Sequence, residues 1–408
     1  WRTDGTMADL RDTIAKLDPP PLATHGREEE LCCAYEAAFE EDRKTWLDFA
    51  TPAVERLEKG SFSLEWMNTD GGAWGTKVKP SSRGLTFMDL NRSKFYGTIA
   101  DSVPDHHRNL TPRGSIRDPY RDQLPIYDDF VVTEKWDLWA DNVSTLYEEA
   151  KARQWNATRD IAWDELETLP EDLEKAACQL ATFLTEIEFL AGDFPAKWMY
   201  RIPAEFLEIK AFLATQIMDE ARHLEVFRKR ALAGGGGLLH VNPMFEWASK
   251  ALMASPTHTS GAYFLNLIGE GFILSVFRGG EFLARTHVDR EIFRRCLQDE
   301  ARHVAFGTIE LKNYLENHPR PEQAMALMHR YADIAEVLVS TSILQPVVLE
   351  PLAVLMGGGL DEIDSGMDGV AFLWDVVKEE YLQRCDRAGL LRRDVCKFGE
   401  LPWKAAVS

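Results

Sequence analysis

The chain has 408 residues, of which 45% are hydrophobic and 27% are charged, and its formal net charge at pH 7 is −20. This composition is typical of a globular protein with a sizeable core. The excess of acids argues against a general nucleic-acid binder, which needs a basic face to neutralise phosphates, and it disfavours docking on anionic membranes. We therefore expect neither a nucleic acid nor a membrane as a partner.

The cysteines and the apolar segments indicate a cytoplasmic protein. The six cysteines contain no CxxC pair and no regular framework, which favours a reducing compartment, and no secretory leader pattern is visible. The most apolar stretch, 261–277, carries Glu270 in its middle. A carboxylate is costly in the centre of a lipid bilayer, so we predict a buried helix there and not a membrane span.

The pattern along the chain predicts a mostly α protein. A helix rich in Glu and Ala is expected over 28–58, and between 61 and 132 Gly, Pro, Ser and aromatic residues mix without a period, which indicates an irregular N-terminal cover over the main body. Helical patterns dominate from Thr133 onward. The predicted helices are 133–153, 170–192, 203–233, 260–286, 288–316, 321–345 and 368–388.

One pentapeptide, Asp-Glu-Ala-Arg-His, occurs at 219–223 and again, unchanged, at 299–303. Both copies lie inside helical patterns. Glu and His three residues apart share one face of a helix, so each copy presents an oxygen and a nitrogen ligand to one centre. A lone Glu-x-x-His pair is usually a solvated ion pair, but two identical copies favour a metal site built from Glu220, His223, Glu300 and His303.

A site of this kind in a helical bundle usually takes one more carboxylate from each of two further helices, about thirty residues upstream across a helical hairpin. Glu270 is the only acid between Ser260 and Arg278, and a carboxylate buried there must be paired or bind a metal. Upstream of the first copy the candidates are Glu186 and Glu188. Helix phase favours Glu188, which lies at the edge of the apolar face.

Charge and ligand type favour two iron ions, with a Mn/Fe pair as the alternative. The four carboxylates of Glu188, Glu220, Glu270 and Glu300 balance two divalent cations, and hard oxygen ligands with imidazole suit iron or manganese. A ligating histidine needs an acceptor for its other ring N–H. We predict a crosswise arrangement, Asp219 to His303 and Asp299 to His223. The predicted support of the six ligands is Asp219, Asp299, Arg222 and Arg302.

The sequence resembles the ferritin-like di-iron carboxylate superfamily. The repeated Asp-Glu-Ala-Arg-His is similar to the motif of multicomponent monooxygenase hydroxylase subunits. The segment from Trp155 to Trp163, together with 299–308, is similar to ribonucleotide reductase small-subunit-like oxidases. This resemblance covers about 154–316. It implies a ferritin-like four-helix bundle at 166–316, with N-terminal helices and the irregular cover at 1–165 and C-terminal helices at 317–408.

Departures from these relatives bear on the reaction. Phe227 stands where reductase subunits usually carry a radical tyrosine, and Leu274 stands where the monooxygenases tend to have a threonine, so that Ser275 or Thr185 would have to replace a proton-delivering hydroxyl. Cys296 stands where aryl-amine N-oxygenases add a third histidine. Storage of a radical for a reductase is therefore disfavoured, and amine oxidation loses support.

The resemblance implies an O₂-dependent hydroxylase-type oxygenase that oxidises a small organic substrate, with an external ferredoxin or reductase as electron donor and a homodimer as one oligomeric option. N-oxygenation, desaturation and a non-catalytic metal- or ligand-binding role are the alternatives. Tyr263, on the Glu270 face, is expected to be a core residue, with an electron relay or substrate binding as the alternatives. Glu336 is expected on a surface stripe, with an extra acid near the site as the alternative. The other histidines receive no role. Predicted pocket walls are Ala181, Leu184, Phe227, Leu267, Leu274 and Phe277.

Overall fold

The computed structural model describes residues 40, 43–44, 47–48, 51–52, 55, 59, 82, 94–95, 98–99, 134–202, 206–234, 237–343 and 345–398. The chain forms two compact units, Trp1–Trp74 and Gly75–Ser408. In the first unit the described residues from 40 to 55 are helical, in agreement with part of the helix predicted at 28–58. Most of the predicted cover at 61–132 lies outside the described residues, and the boundaries at 165 and 316 stay predictions.

The second unit is dominated by helices, and its described strands, β1 (Lys94–Phe95) and β2 (Thr98–Ile99), form one short antiparallel pair. The long apolar helix His258–Leu283, α5, includes a π-helical stretch, Tyr263–Gly269. The helices are α1 (Val143–Ala152), α2 (Glu171–Met199), α3 (Leu207–Ala233), α4 (Phe245–Met253), α5 (His258–Leu283), α6 (His287–Asn317), α7 (Pro321–Ile343), α8 (Pro346–Gly357) and α9 (Ile363–Ala388).

Two helical hairpins form the body of this unit. Helix α2 packs along α3, α5 packs along α6, and α3 and α6 meet between the hairpins. Helices α8 and α9 pack on each other and add contacts to α2 and α5. This arrangement confirms the predicted fold class, a mostly α, ferritin-like four-helix bundle with additional helices.

Local sequence signals explain where the bundle helices begin and end. Acidic residues in the first turn of α2 oppose the positive end of the helix dipole, and Thr286 caps α6 by accepting a hydrogen bond from the backbone N–H of Asp289. Helix α3 ends at the glycine run, where Gly237 adopts a φ of 78°. The predicted end of α3 near residue 233 is therefore confirmed.

Several predicted bounds differ from the structure. The helix expected at 133–153 is a 3₁₀ turn, Lys135–Asp137, followed by the shorter α1. Helix α2 passes the predicted stop at Gly192 and continues through Pro195, because Phe194 and Trp198 on its last turns are buried in the core. Helices α4 and α8 lie in segments for which the sequence predicted no helix. Burial against neighbouring helices outweighs local propensity at these places.

Helix α5 is the apolar centre of the bundle. It is long and apolar enough to cross a membrane, but 94% of its most apolar window is buried inside the protein, which agrees with the predicted buried helix. It approaches α6 closely at Gly307, where an added Cβ would lie 2.5 Å from Cβ of Asn266. This close approach positions the α5 segment that carries Glu270 against the second Asp-Glu-Ala-Arg-His copy.

Candidate metal centre

Four bundle helices bring six titratable side chains to one buried place. Helix α2 carries Glu188, α3 carries Glu220 and His223, α5 carries Glu270, and α6 carries the second Glu/His pair. All six side chains are at most 2% exposed. The set comprises Glu188, Glu220, His223, Glu270, Glu300 and His303.

The six side chains form two overlapping clusters. Ligand atoms of Glu188, Glu220, His223 and Glu300 all lie within 4.8 Å of one another, and the same holds for Glu220, Glu270, Glu300 and His303. Glu220 and Glu300 belong to both clusters. A carboxylate shared in this way can bridge two cations, one in each cluster.

Both histidines turn the same ring nitrogen toward the carboxylates. His223 Nδ1 lies 3.1 Å from Glu220 Oε2 and 3.1 Å from Glu300 Oε1. His303 Nδ1 lies 3.0 Å from Glu220 Oε1 and 3.4 Å from Glu300 Oε2. The two outer carboxylates are slightly farther from these nitrogens, with Glu188 Oε2 3.5 Å from His223 and Glu270 Oε1 3.6 Å from His303.

Polar atoms inside the centre lack the hydrogen bonds that burial normally requires. Oε1 of Glu188, Oε1 of Glu220, Oε2 of Glu300 and Nδ1 of His303 are buried and have no hydrogen-bond partner among the residues that the structure describes. Because unsatisfied buried polar atoms are costly, orphaned atoms converging on one place fit a cation that they would coordinate. The donor set of carboxylate oxygens and imidazole nitrogens suits iron or manganese.

Without bound cations, the two outer carboxylates and the imidazoles of the centre favour their protonated forms. Burial and the nearby Glu220 carboxylate raise the pKa of Glu188 well above its ordinary 4.5, and burial and the carboxylates of Glu300 and Glu220 do the same to the pKa of Glu270. Burial alone would lower the pKa of His303, but the facing Glu220 and Glu270 carboxylates hold it well above 6.5. Metal ions would therefore displace protons as they bind.

The predicted aspartates lie on the far side of the histidine rings, in the crosswise arrangement. His223 Nε2 is 3.3 Å from Asp299 Oδ2, and His303 Nε2 is 3.3 Å from Asp219 Oδ2. Arg302 donates to both aspartates, at 2.8 Å to Asp219 and 2.6 Å to Asp299. Arg222 likewise contacts both of them. Each aspartate thus receives an imidazole N–H, which fixes the ring with Nδ1 toward the centre.

Three further contacts of the centre were not predicted. The indole N–H of Trp155 donates to Asp299 Oδ2 at 2.7 Å. The amides of Gln216 and Asn266 donate to the two oxygens of Glu270, at 2.9 and 2.7 Å. Both amides stand four residues before a predicted ligand glutamate, Gln216 before Glu220 and Asn266 before Glu270. An amide side chain one helix turn before a buried glutamate is a sequence feature from which Gln216 and Asn266 could have been predicted.

The structure places the other candidates elsewhere. Glu186 is directed toward the segment before α4, where its Oε2 accepts the backbone N–H of Asn242 at 3.0 Å, so that Glu188 and not Glu186 joins the cluster. Thr185 donates to the carbonyl of Ala181, and Ser275 donates to Glu380. Neither hydroxyl donates to a carboxylate of the centre, so neither replaces the expected proton-delivering threonine in this arrangement.

One prediction made from the pattern was wrong, and one histidine makes a buried contact that the pattern did not indicate. Glu336 was expected on a surface stripe, but it is fully buried and is held by Arg392, which donates to both of its oxygens. His258 was given no role at a helix end, yet it is fully buried and its Nδ1 lies 2.6 Å from Glu310 Oε1. Arg392 is 56 residues from Glu336 and Glu310 is 52 residues from His258, and a local pattern does not reveal contacts over such separations.

Two apolar cavities border the bundle. One, of about 60 Å³, lies between α2, α4, α5 and α7, and Glu270 is the charged residue in its lining. The other, of about 90 Å³, is lined by three of the predicted wall residues, Ala181, Leu184 and Phe227. The remaining predicted wall residues, Leu267, Leu274 and Phe277, are buried core and line neither of these two cavities.

Comparisons with known proteins give matches in structure only. No protein-family model matches the chain, and no curated protein sequence matches it. Similar solved structures include a mutant R2-like ligand-binding oxidase with an aerobically reconstituted Mn/Fe cofactor, 22% identical, with a TM-score of 0.48 over 61% of this chain and 94% of that one. A second mutant, anaerobically reconstituted, is 19% identical, with a TM-score of 0.48 over 66% and 98% of the two chains.

Proposed function

We propose that the chain is a non-haem dimetal, O₂-dependent oxygenase of the hydroxylase type that oxidises a small apolar organic molecule. The observation that carries this proposal is the pair of buried ligand clusters that share Glu220 and Glu300. Two Fe²⁺ ions are the proposed cofactor, and a Mn/Fe pair is the alternative. The proposed ligands and catalytic groups at the reacting centre are Glu188, Glu220, Glu270 and Glu300, with His223 and His303 as nitrogen ligands.

Charge balance supports two divalent ions. The four glutamates carry four negative charges when ionised, and two neutral imidazoles add nitrogen ligands without adding charge. When bound, the two metals supply the two electrons that reduce O₂.

The surrounding residues hold the ligands in one orientation. Asp219 and Asp299 accept the Nε2–H groups of the histidines, so that each Nδ1 lone pair faces the centre. Arg222 and Arg302 balance the charge of these aspartates inside the core. Gln216 and Asn266 hold the Glu270 carboxylate between them. The chain thus organises the ligands before a metal arrives, which limits reorganisation during the reaction.

The cavity at Glu270 supports an apolar substrate. Its walls are aliphatic and aromatic, and its inner end reaches a proposed ligand, so a molecule in it would lie next to the reacting centre. Apolar walls exclude water, which protects an oxidising centre from reaction with solvent. N-oxygenation and desaturation use the same site chemistry, and product analysis distinguishes them. Cys296, at the position of a third histidine, disfavours N-oxygenation.

An external ferredoxin or reductase is the proposed electron donor, because an oxygenase of this kind must be reduced before each turnover. The four cysteines among the described residues are all free thiols, which supports a cytoplasmic location. A homodimer is proposed on the basis of the family resemblance alone.

The decisive experiment compares Glu188→Gln with Glu186→Gln. These residues are two positions apart on α2, but only Glu188 faces the cluster. Protein loaded anaerobically with Fe²⁺, or with Mn²⁺ and Fe²⁺, is analysed for metal content, and reduced protein is mixed with O₂ in a stopped-flow spectrometer. We expect two metals per chain and rapid oxidation for the wild type and Glu186→Gln, and loss of both for Glu188→Gln.

Substrate dependence separates an oxygenase from a metal-storage or ligand-binding protein. An oxygenase forms a transient absorption that decays faster when a substrate is present, and it yields an oxygenated product in a single turnover. Slow oxidation to inert protein, unaffected by any apolar compound tested, or the absence of two bound metals in the wild type, would contradict the proposed function.

A further inference from the structure

A chain of hydrogen bonds starts at Tyr263 on α5, on the helix that carries Glu270. The hydroxyls of Tyr263 and Tyr381 are 2.6 Å apart, and the Tyr381 hydroxyl donates to Glu336 Oε1. Because Tyr381 uses its proton in that bond, Tyr263 donates to the Tyr381 oxygen. Both tyrosines are 1% exposed. The two rings therefore form a buried pair with one direction of hydrogen bonding, toward the carboxylate.

The Glu336 carboxylate, at the end of this series of hydrogen bonds, is held in position to accept a proton. Arg392 donates to Glu336 Oε1 at 2.9 Å and to Oε2 at 2.8 Å, and the backbone N–H of Lys397 donates to Oε2 at 2.5 Å. Arg392 also donates to Asp333 Oδ1 at 2.5 Å. If Glu336 took up a proton, Asp333 would still balance the charge of the guanidinium, so protonation leaves no unpaired buried cation.

This network runs from the interior to the surface. Asp333 has a side chain that is 46% exposed, and with Arg392 it lines an open groove between the middle of α7 and residues 386–397. At the inner end, Tyr263 is seven residues before Glu270 on one helix. An α-helix rises about 1.5 Å per residue and the π-helical stretch between them rises less, so the two positions are at most roughly 10 Å apart along the axis. Electrons tunnel over such distances, whereas protons need the continuous hydrogen bonds found on the outer side.

We propose that Tyr263 and Tyr381 form a one-electron relay between the dimetal centre and the protein surface, with Glu336 as its proton acceptor. The proposal rests on the proposed function, since the oxidant is the O₂-oxidised dimetal centre. Tyr381 gives one electron to that centre by way of Tyr263 and passes its phenolic proton to Glu336. The products are a neutral tyrosyl radical, a protonated carboxyl and a centre reduced by one electron. An external one-electron donor at the surface groove then returns the electron, and the proton moves back.

The surroundings of the two tyrosines favour transfer of the phenolic proton together with the electron. Burial raises the pKa of both phenols well above 10, so each tyrosine is a neutral phenol at neutral pH. A phenol loses an electron readily only if its proton has an acceptor at hydrogen-bond distance, and Glu336 is that acceptor. The position of the reductase-type radical tyrosine is Phe227 here. Phe227 is on α3, whereas the two tyrosines of the proposed relay are on α5 and α9.

A purely structural role is the competing explanation, because Glu336 also anchors the segment 392–397 to α7. The matched control is Tyr314 on α6, which is equally buried but packs against Trp136 and His318 and has no hydrogen bond to a carboxylate among the described contacts. Tyr314→Phe therefore removes a buried phenol without touching the relay.

The test loads wild type, Tyr381→Phe, Tyr263→Phe and Tyr314→Phe with two Fe²⁺ per chain, mixes them with O₂ without substrate, and freeze-quenches the samples for EPR. Circular dichroism and metal content verify that each variant is folded and loaded. We expect a tyrosyl signal in wild type and Tyr314→Phe and its loss in Tyr381→Phe. Tyr263→Phe should keep a weaker radical whose high-field g values change, because the radical oxygen has lost its hydrogen bond.

Isotope labelling makes the result independent of any variant. In wild-type protein containing deuterated tyrosine, the hyperfine splitting of the signal should collapse. Normal metal loading and O₂ oxidation without a tyrosyl signal, or a signal that persists in Tyr381→Phe, would overturn the relay and leave the proposed function standing. Failure of the wild type to bind two metals would overturn both.

Discussion

His223 on α3 and Asp299 on α6 join the two halves of the bundle, with 3.3 Å between His223 Nε2 and Asp299 Oδ2. The same relationship holds in reverse between His303 on α6 and Asp219 on α3. Each Asp-Glu-Ala-Arg-His copy therefore supplies the ring of one histidine and the acceptor for the other. Neither copy is complete without its partner, which explains why Asp is repeated together with Glu and His.

Asp219→Asn tests this crosswise pairing. The amide is close in shape to the carboxylate but no longer charged, so His303 keeps at most a weaker, neutral acceptor that holds its ring less firmly. Loss of such a partner typically lowers metal affinity by about 10–100-fold. Competition with a chelator measures this affinity, and Asp193→Asn, at an exposed position on α2, is the control. Unchanged iron affinity and oxidation rate in Asp219→Asn would remove the pairing from the mechanism.

Asp137→Asn tests a pH dependence of stability outside the metal centre. Burial and the nearby Glu310 carboxylate, partly opposed by His258, raise the pKa of Asp137 from 3.8 to about 7. A raised pKa means that the folded state holds a proton which the unfolded state has lost. The stabilisation is full below pH 3.8 and is lost as the pH rises through 7. Wild type should therefore lose stability relative to Asp137→Asn between pH 5 and pH 8.

Urea denaturation at both pH values measures this difference, which we expect to be on the order of a few kcal/mol. Asp164→Asn, at an exposed aspartate, is the control for removal of a carboxylate charge. A constant stability difference between Asp137→Asn and wild type across this pH range would show that Asp137 ionises normally in the folded protein.

Gly307→Ala tests the close approach of α5 and α6. The new Cβ would lie 2.5 Å from Cβ of Asn266, whose amide donates to Glu270, so the helices must separate or Asn266 must move. Overpacking of this kind typically costs about 1–3 kcal/mol of unfolding free energy. We expect a lower melting temperature together with weaker metal binding.

Gly279→Ala is the matched control, because it is also a helical glycine, on α5, and its added Cβ would have only an ordinary contact, 3.9 Å from Leu373. That variant should be neutral or slightly more stable, since alanine favours a helix over glycine. Equal behaviour of Gly307→Ala and Gly279→Ala would refute the packing argument.

Ala248→Phe tests which cavity admits the substrate. Ala248 on α4 lines the cavity that ends at Glu270, whereas Ala177 on α2 lines the larger cavity. A phenyl ring at 248 should raise KM or abolish turnover of an apolar substrate while metal content stays normal. Ala177→Phe should have little effect on turnover. The reverse result would assign substrate binding to the larger cavity.

Features that depend on residues close in sequence were predicted well, whereas contacts between residues distant in sequence were not predicted. The repeated pentapeptide and the single acid of α5 are local features, and helix geometry converts their spacing into a shared face. Glu336 illustrates the limit, because it lies in an apolar helix, but Arg392 and Tyr381 contact it from 56 and 45 residues away. Periodicity tells which side chains share a face and leaves open what packs opposite that face.

The sequence by itself determined a mostly α chain in which two Glu/His pairs and further buried acids are set on helix faces, because a 3.6-residue period and the cost of burying charge act locally. Only the tertiary structure decided that Glu188 and not Glu186 joins the cluster, that Glu220 and Glu300 belong to both ligand sets, and that the Tyr263–Tyr381 pair ends on Glu336. These relationships arise from packing between helices that are distant in sequence, and the chain must fold before they exist.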